Sequence, residues 1–178
     1  VDFVGFNMHK WIGVPLGVGL MYIRKNRVLD IDPLRGEAGP ENDDVRKRIH
    51  TGTVNFASVL TVPDALDFRE NIGQKNIENR LRALRSQWVD QVRDNNKVEV
   101  LTPDDERMYA AITSFRLKGK TSYEDNAALM KTLHEKYKIF TVAIGGLANG
   151  GAIRVSPSLY NSRDDADKLA AAINDITG

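Results

Sequence analysis

The sequence predicts a mixed chain, an α/β portion followed by an α+β module. Three observations carry that expectation. Two apolar segments, "VDFVGF" and "GVGLMYIRK", flank a glycine-rich stretch near the start. Between residues 74 and 95, Ile77, Leu81, Leu84, Trp88 and Val92 recur at intervals of three and four, the spacing of one helix face. After residue 97 the patterns run β-β-α-β-β-α, an order that packs helices on one face of a small sheet.

The elements follow in order. "VDFVGF" reads as a short buried strand bounded by Gly and Asn, and "GVGLMYIRK" as a second strand. Residues 30–50 are polar and carry Pro33, Gly36, Gly39 and Pro40, which predicts a long loop. A helix is expected near 58–72, with Pro63 tolerated in its first turn. In the helix over 74–95, Arg80, Arg82 and Arg85 lie mostly off the apolar face and read as solvated surface. "KVEVLT" and "MYAAITSFRLK" then read as strands, "DNAALMKTLHEKY" as a helix, and "KIFTVAIGG" and "GAIRVSPSLY" as strands. The closing helix, 163–177, opens with Ser162 and Asp165 in a capping box. Three regions result: 1–73, a connecting helix over 74–96, and a small α+β domain over 97–178.

Composition bounds the chemistry. The 178 residues are 42% apolar and 28% charged, the composition of an ordinary globular protein. With 25 basic against 24 acidic residues, the net charge of +1 argues against a nucleic-acid partner. No apolar run reaches the roughly 18 residues of a membrane span, so no membrane partner is expected. The chain has no cysteine. Disulfides, thiolate metal sites and a cysteine nucleophile are thereby excluded, no metal site is expected, and a cytoplasmic location is the expectation. Val1 opens the chain inside a strand pattern, so a start within a longer protein is expected.

Lys10 is the first candidate for chemistry. On composition alone a lysine between two strands is a surface residue. Three features point elsewhere. Lys10 stands where a strand ends, a common site position in α/β sheets. His9 and Trp11 flank it and could exclude water. The following "GVPLGVG" allows close backbone approach to a ligand. A desolvated lysine loses its proton more readily, and a neutral amine forms Schiff bases with aldehydes. The glycines at 13, 17 and 19 match neither phosphate-loop spacing, so a plain turn before a strand is the more direct reading.

These residues resemble a known family. "HKW" after a short strand, followed by "GVPLGVGLMYIRK", resembles the lysine segment of class V aminotransferases, fold-type I enzymes that use pyridoxal 5'-phosphate. The isopenicillin-N-epimerase-like branch is the nearest in pattern. "HTGTVNF", 50–56, looks like the family's Gly-Thr loop, and "AIRVSPSLYNSRDDADKL", 152–169, like its arginine strand and following helix. The resemblance covers essentially the whole chain.

It implies the following roles. Lys10 matches the catalytic lysine that forms a Schiff base with pyridoxal 5'-phosphate. His9 and Asn7 would lie near the cofactor phosphate, and Trp11 would pack behind the lysine. Gly52 and Thr53 match the loop that reaches the phosphate, typically across a homodimer interface. Arg154 matches the arginine that clamps the carboxylate of an amino-acid substrate. Taken singly, Arg154 also reads as an edge-strand charge, Thr53 as a turn residue, His9 as a structural histidine, and Tyr160-Asn161 as a turn. His50 and His134 are assigned no chemistry.

The resemblance also implies what lies outside these residues. The family's enzymes are about twice as long. Their preceding half supplies the group stacked on the cofactor ring, the acid paired with the ring nitrogen, and a phosphate-binding helix N-terminus; Asp2 is not that acid. The chain therefore reads as the C-terminal part of a fold-type I transferase, the last strands of the large domain plus the small domain. The N-terminal half would be a second chain or a cleaved segment. Epimerase or racemase, aminotransferase and lyase chemistry all remain open, as does a non-catalytic, cofactor-free scaffold.

Overall fold

The computed structural model describes residues 1–36, 43–49 and 52–178. These divide into two units, Val1–Ile72 and Gly73–Gly178. His50, Thr51 and residues 37–42 of the loop expected over 30–50 lie outside the described residues.

The first unit begins with a two-stranded antiparallel hairpin, β1 (Phe3–Asn7) and β2 (Gly19–Ile23), in which Phe3 pairs with Ile23 and Asn7 with Gly19. A single helical turn, α1 (Met8–Trp11), interrupts the return. Its start is pinned by the Met8 N–H donating to the Val18 carbonyl at 3.0 Å. Its end is closed by the Gly13 N–H donating to the Met8 carbonyl at 3.1 Å. Gly13 and Gly17 hold φ of 92° and 93°, a left-handed backbone that residues with a Cβ rarely adopt. Met8, Val14 and Val18 form a small buried cluster, with Val62 and Ala65 packed on it.

The expectation of a buried first strand is overturned. Only Val4 of β1 is even half-buried, and Phe3, Phe6, Met21 and Tyr22 are exposed. A two-stranded ribbon covers neither of its own faces, and its side chains alternate between both.

The helix expected near 58–72 is two helices, α2 (Phe56–Leu60) and α3 (Val62–Ile72). Asn55 caps α2, its Oδ1 accepting from the Ser58 N–H at 3.4 Å. Pro63 contributes to the break: it lacks the N–H that would continue the hydrogen bonding of α2. It sits instead in the first turn of α3, as expected.

The second unit runs α4 (Gln74–Val92), β3 (Val98–Val100), β4 (Thr113–Leu117), α5 (Tyr123–Tyr137), β5 (Val142–Ile144), β6 (Ala152–Val155) and α6 (Arg163–Thr177). The β-β-α-β-β-α order is therefore present. The sheet order is β3-β4-β6-β5, every pair antiparallel. The register aligns Val100, Phe115, Ile153 and Ala143 in one row across the sheet. That row enters a single core with Trp88 and Val92 of α4, Leu133 of α5, and Leu169 and Ile173 of α6. Trp88 meets Phe115 edge-on at 5.6 Å between ring centroids, a favourable aromatic arrangement. The capping box is formed: Ser162 accepts from the Asp165 N–H at 3.1 Å, and Asp165 from the Ser162 N–H at 2.9 Å.

Three arginines of α4 depart from the solvated surface expected for them. Arg85 is only 1% exposed. It donates to the Thr113 hydroxyl at 3.2 Å and lies over the Tyr109 ring at 3.8 Å. Arg82 binds Glu78 and the Glu106 carbonyl, and Arg80 the Asn161 carbonyl. A guanidinium buries when a planar aromatic face and hydrogen-bond acceptors replace its water. Apart from Glu78, one turn back in α4, those partners come from 102–113 and from the turn before α6, and the helix pattern alone carries no sign of them.

Candidate functional site

Asn7 ends β1, and His9 and Lys10 follow it in α1. The left-handed glycines at 13 and 17 return the chain so that this turn stands at the strand end. Lys10 is exposed, and its ammonium has no hydrogen bond or ion pair among the described residues. The water-excluding surround expected from His9 and Trp11 is not formed, since Trp11 is itself exposed. His9 is half-buried, and its Nδ1 is buried with no partner.

Asn7 and Thr53 line one cavity of about 990 Å³ in the first unit, together with Arg48 and Ser58. His9 and Lys10 are not among its lining residues. Gly52 precedes Thr53 with φ of 48°, in the left-handed region, which turns the chain into the cavity wall. Arg48 is a participant that the sequence did not reveal. It is 6% exposed and donates to the carbonyls of Val28, Ile31 and Asp44 at 3.0–3.1 Å. One of its terminal nitrogens, Nη2, has no partner. Nothing in the basic run "RKR" distinguishes this arginine from its neighbours. Beside it, Asp44 is held down to about 2 by hydrogen bonds from the Arg46 side chain and backbone N–H.

Arg154 belongs to the second unit. In β6 it pairs in register with Ser114 and Val142, on the sheet face opposite the helices. It is half-buried, and its Nε is buried without a partner. Arg116 of β4 is committed: it donates to Glu99 at 2.8 Å and to the Asn149 carbonyl at 2.5 Å. Of the two arginines on that face, Arg154 is thus the one with a buried donor unused.

These groups suit an anionic aldehyde and an amino acid by kind. Lys10 offers an unpaired amine, and Asn7, Thr53 and Arg48 offer donors around one cavity. Arg154 offers a guanidinium with an unused donor. Among the described residues no cluster of His, Asp or Glu could hold a metal ion. No described helix is long and apolar enough to cross a membrane.

The fold has clear relatives. The apo cysteine desulfurase of Thermococcus onnurineus NA1 superposes with a TM-score of 0.78 at 22% identity, covering 99% of this chain and 47% of that one. This chain therefore has the fold of about half a fold-type I enzyme. A family model for Aminotransferase class-V matches residues 1–169, and the chain belongs to that family. It is 26% identical to isopenicillin N epimerase of Streptomyces clavuligerus, over 99% of this chain and 48% of the relative. It is 27% identical to a probable cysteine desulfurase of Halobacterium salinarum, over 98% of this chain and 44% of the relative. The chain spans about half the length of the curated relatives it matches.

Proposed function

We propose that this chain supplies the C-terminal half of a pyridoxal-phosphate enzyme acting on an amino acid. The observation that carries the reading is the unpaired Lys10 amine at a strand end, in a chain whose residues 1–169 match a class V aminotransferase model. In this reading 1–73 ends the cofactor-binding large domain, 74–96 connects, and 97–178 is the small domain. The exposed faces of the β1–β2 hairpin support a further half, as a second polypeptide or a cleaved segment, that completes the sheet. The working particle is a homodimer.

When bound, the cofactor supplies an electron sink for negative charge at the substrate Cα. The rest falls to this chain. Lys10 holds the cofactor through Nζ and, once released, takes and returns a proton at the substrate Cα. Asn7, His9, Gly52 and Thr53 hold the phosphate end. Arg154 grips the substrate carboxylate as a fork, which sets which Cα bond faces the reacting plane. Epimerisation fits better than sulfur transfer, because these residues contain no cysteine to accept sulfur.

Borohydride reduction of the assembled protein followed by peptide mapping tests this reading. The expected result is a pyridoxyl group on Lys10, absent in Lys10→Ala, whose turnover falls roughly 10²–10⁴-fold. An unlabelled Lys10 overturns it. The exposure of Lys10 favours a second reading, a cofactor-free scaffold. That reading requires no label even with excess cofactor and with the completing half present.

A further inference from the structure

We propose that the second unit carries a separate binding site for a small carboxylic acid with an apolar body. A cavity of about 380 Å³ opens where α4 and α6 meet the start of β5 and the end of β6. That volume lies in the lower part of the roughly 300–1,000 Å³ range of small-ligand pockets. Leu84, Val155, Pro157 and Leu169 supply apolar wall. None of these residues belongs to the set proposed above for cofactor and substrate.

Two polar side chains in this wall lack partners. Trp88 is 1% exposed and Thr141 4%, and neither the indole N–H nor the Thr141 hydroxyl is hydrogen-bonded. A buried polar group left unpaired costs free energy, so each is a standing demand for a partner. The indole N–H can only donate, so its partner must be an acceptor oxygen. Charge at the rim selects the kind of acceptor. Lys138 ends α5 in left-handed backbone at φ 59°, and its ammonium has no hydrogen bond or ion pair among the described residues. Lys168 adds a second positive charge. The one rim carboxylate, Asp165, is committed to the Ser162 N–H at 2.9 Å and the Asn161 amide at 3.3 Å. Asp165 keeps its negative charge and interacts with Lys168, so two lysines against one carboxylate leave the rim positive by one charge, and an anionic oxygen is favoured over a neutral one. Phe140 and Tyr160, 81% and 88% exposed, stand at the mouth, where their rings can cover an apolar body.

The test is a titration of the ¹⁵N-labelled full chain with 3-phenylpropionate. The chain has two indole N–H signals, from Trp11 and Trp88, and Trp11→Phe assigns them. The expected result is a saturable shift of the Trp88 signal with the Trp11 signal unmoved. Thr141→Val should weaken binding roughly fivefold, the worth of one hydrogen bond. 3-Phenylpropanol, which lacks the carboxylate, should bind at least as much more weakly. Lys138→Met changes an exposed side chain and serves where Thr141→Val fails to fold; it should also weaken binding. No saturable Trp88 shift, or equal binding of the acid and the alcohol, overturns the proposal. So does wild-type affinity in Thr141→Val or, where that variant fails to fold, in Lys138→Met.

Discussion

The two units are stabilised in different ways. The second closes a four-stranded sheet under three helices, with Trp88, Phe115, Ile153 and Ile173 in one core. Among the described residues the first buries only Met8, Val14 and Val18 as a cluster, and most of its hairpin is exposed, with Ile23 its one buried residue. Both contain strands of similar apolar character. What separates them is whether the chain itself provides a surface to cover those strands. Side-chain burial therefore concentrates in the second unit, while the first relies on turn geometry and on arginines such as Arg48 and Arg69 that tie loops to carbonyls.

The most damaging way to break this contrast is Phe115→Ala. The ring is fully buried between Trp88 and the β-sheet row, so its loss should cost about 3–5 kcal/mol. Urea unfolding followed by circular dichroism measures it. Native-state hydrogen exchange sharpens the same comparison. Amides of β4 and β6 should exchange only with opening of the whole second unit, and those of β1 and β2 through small local openings. Equal protection in the two sheets would remove the distinction.

The contrast also marks what was legible in the sequence. In the second unit, helix periodicity and the Ser162 cap lead to the observed elements, because each apolar stripe has its partner within the chain. "VDFVGF" carries the same kind of pattern, yet β1 is exposed, since a strand pattern records suitability for burial and not the presence of a cover. Charge is the other blind spot. Arg48 and Arg85 sit among surface-like basic residues, and acceptors more than 15 positions away help to draw them in, joined for Arg48 by the nearby Asp44 carbonyl. Of the candidate site, Lys10 stands out by strand context and Arg154 by family resemblance alone, whereas Arg48 and the unpaired Trp88 and Thr141 atoms emerge only from the fold.

A backbone contact ranks next. The start of β6 passes so close to the start of α5 that the Gly151 N–H donates to the Thr121 carbonyl at 2.6 Å. A Cβ at Gly150 would stand 2.3 Å from that carbonyl oxygen, on a residue with φ of 97°. Gly150→Ala should therefore cost about 1–3 kcal/mol through strain at this position. Because β6 carries Arg154, the variant should also loosen the sheet face that presents it. A thermal scan reads the first effect and exchange of the Ile153 and Arg154 amides the second.

Smaller still is Ser162→Ala. It removes one half of the capping box on α6 and should cost about 1 kcal/mol. The pH dependence of that cap is the finest test. Asp165 is held below its ordinary value of 3.8, first by the Ser162 backbone N–H and then by the Asn161 side chain. A carboxyl with a lowered folded-state pKa contributes its stability in full above the unfolded value. That contribution fades as pH falls from about 4 through the folded value. Asp165 is fully exposed, so solvent screens the interaction and the effect stays below that of the cap itself. Asp165→Asn should flatten the acid limb of the second unit's stability curve while leaving its behaviour near neutrality dominated by the core. A first-unit transition that shifts equally in this variant would mean that the two units unfold as one.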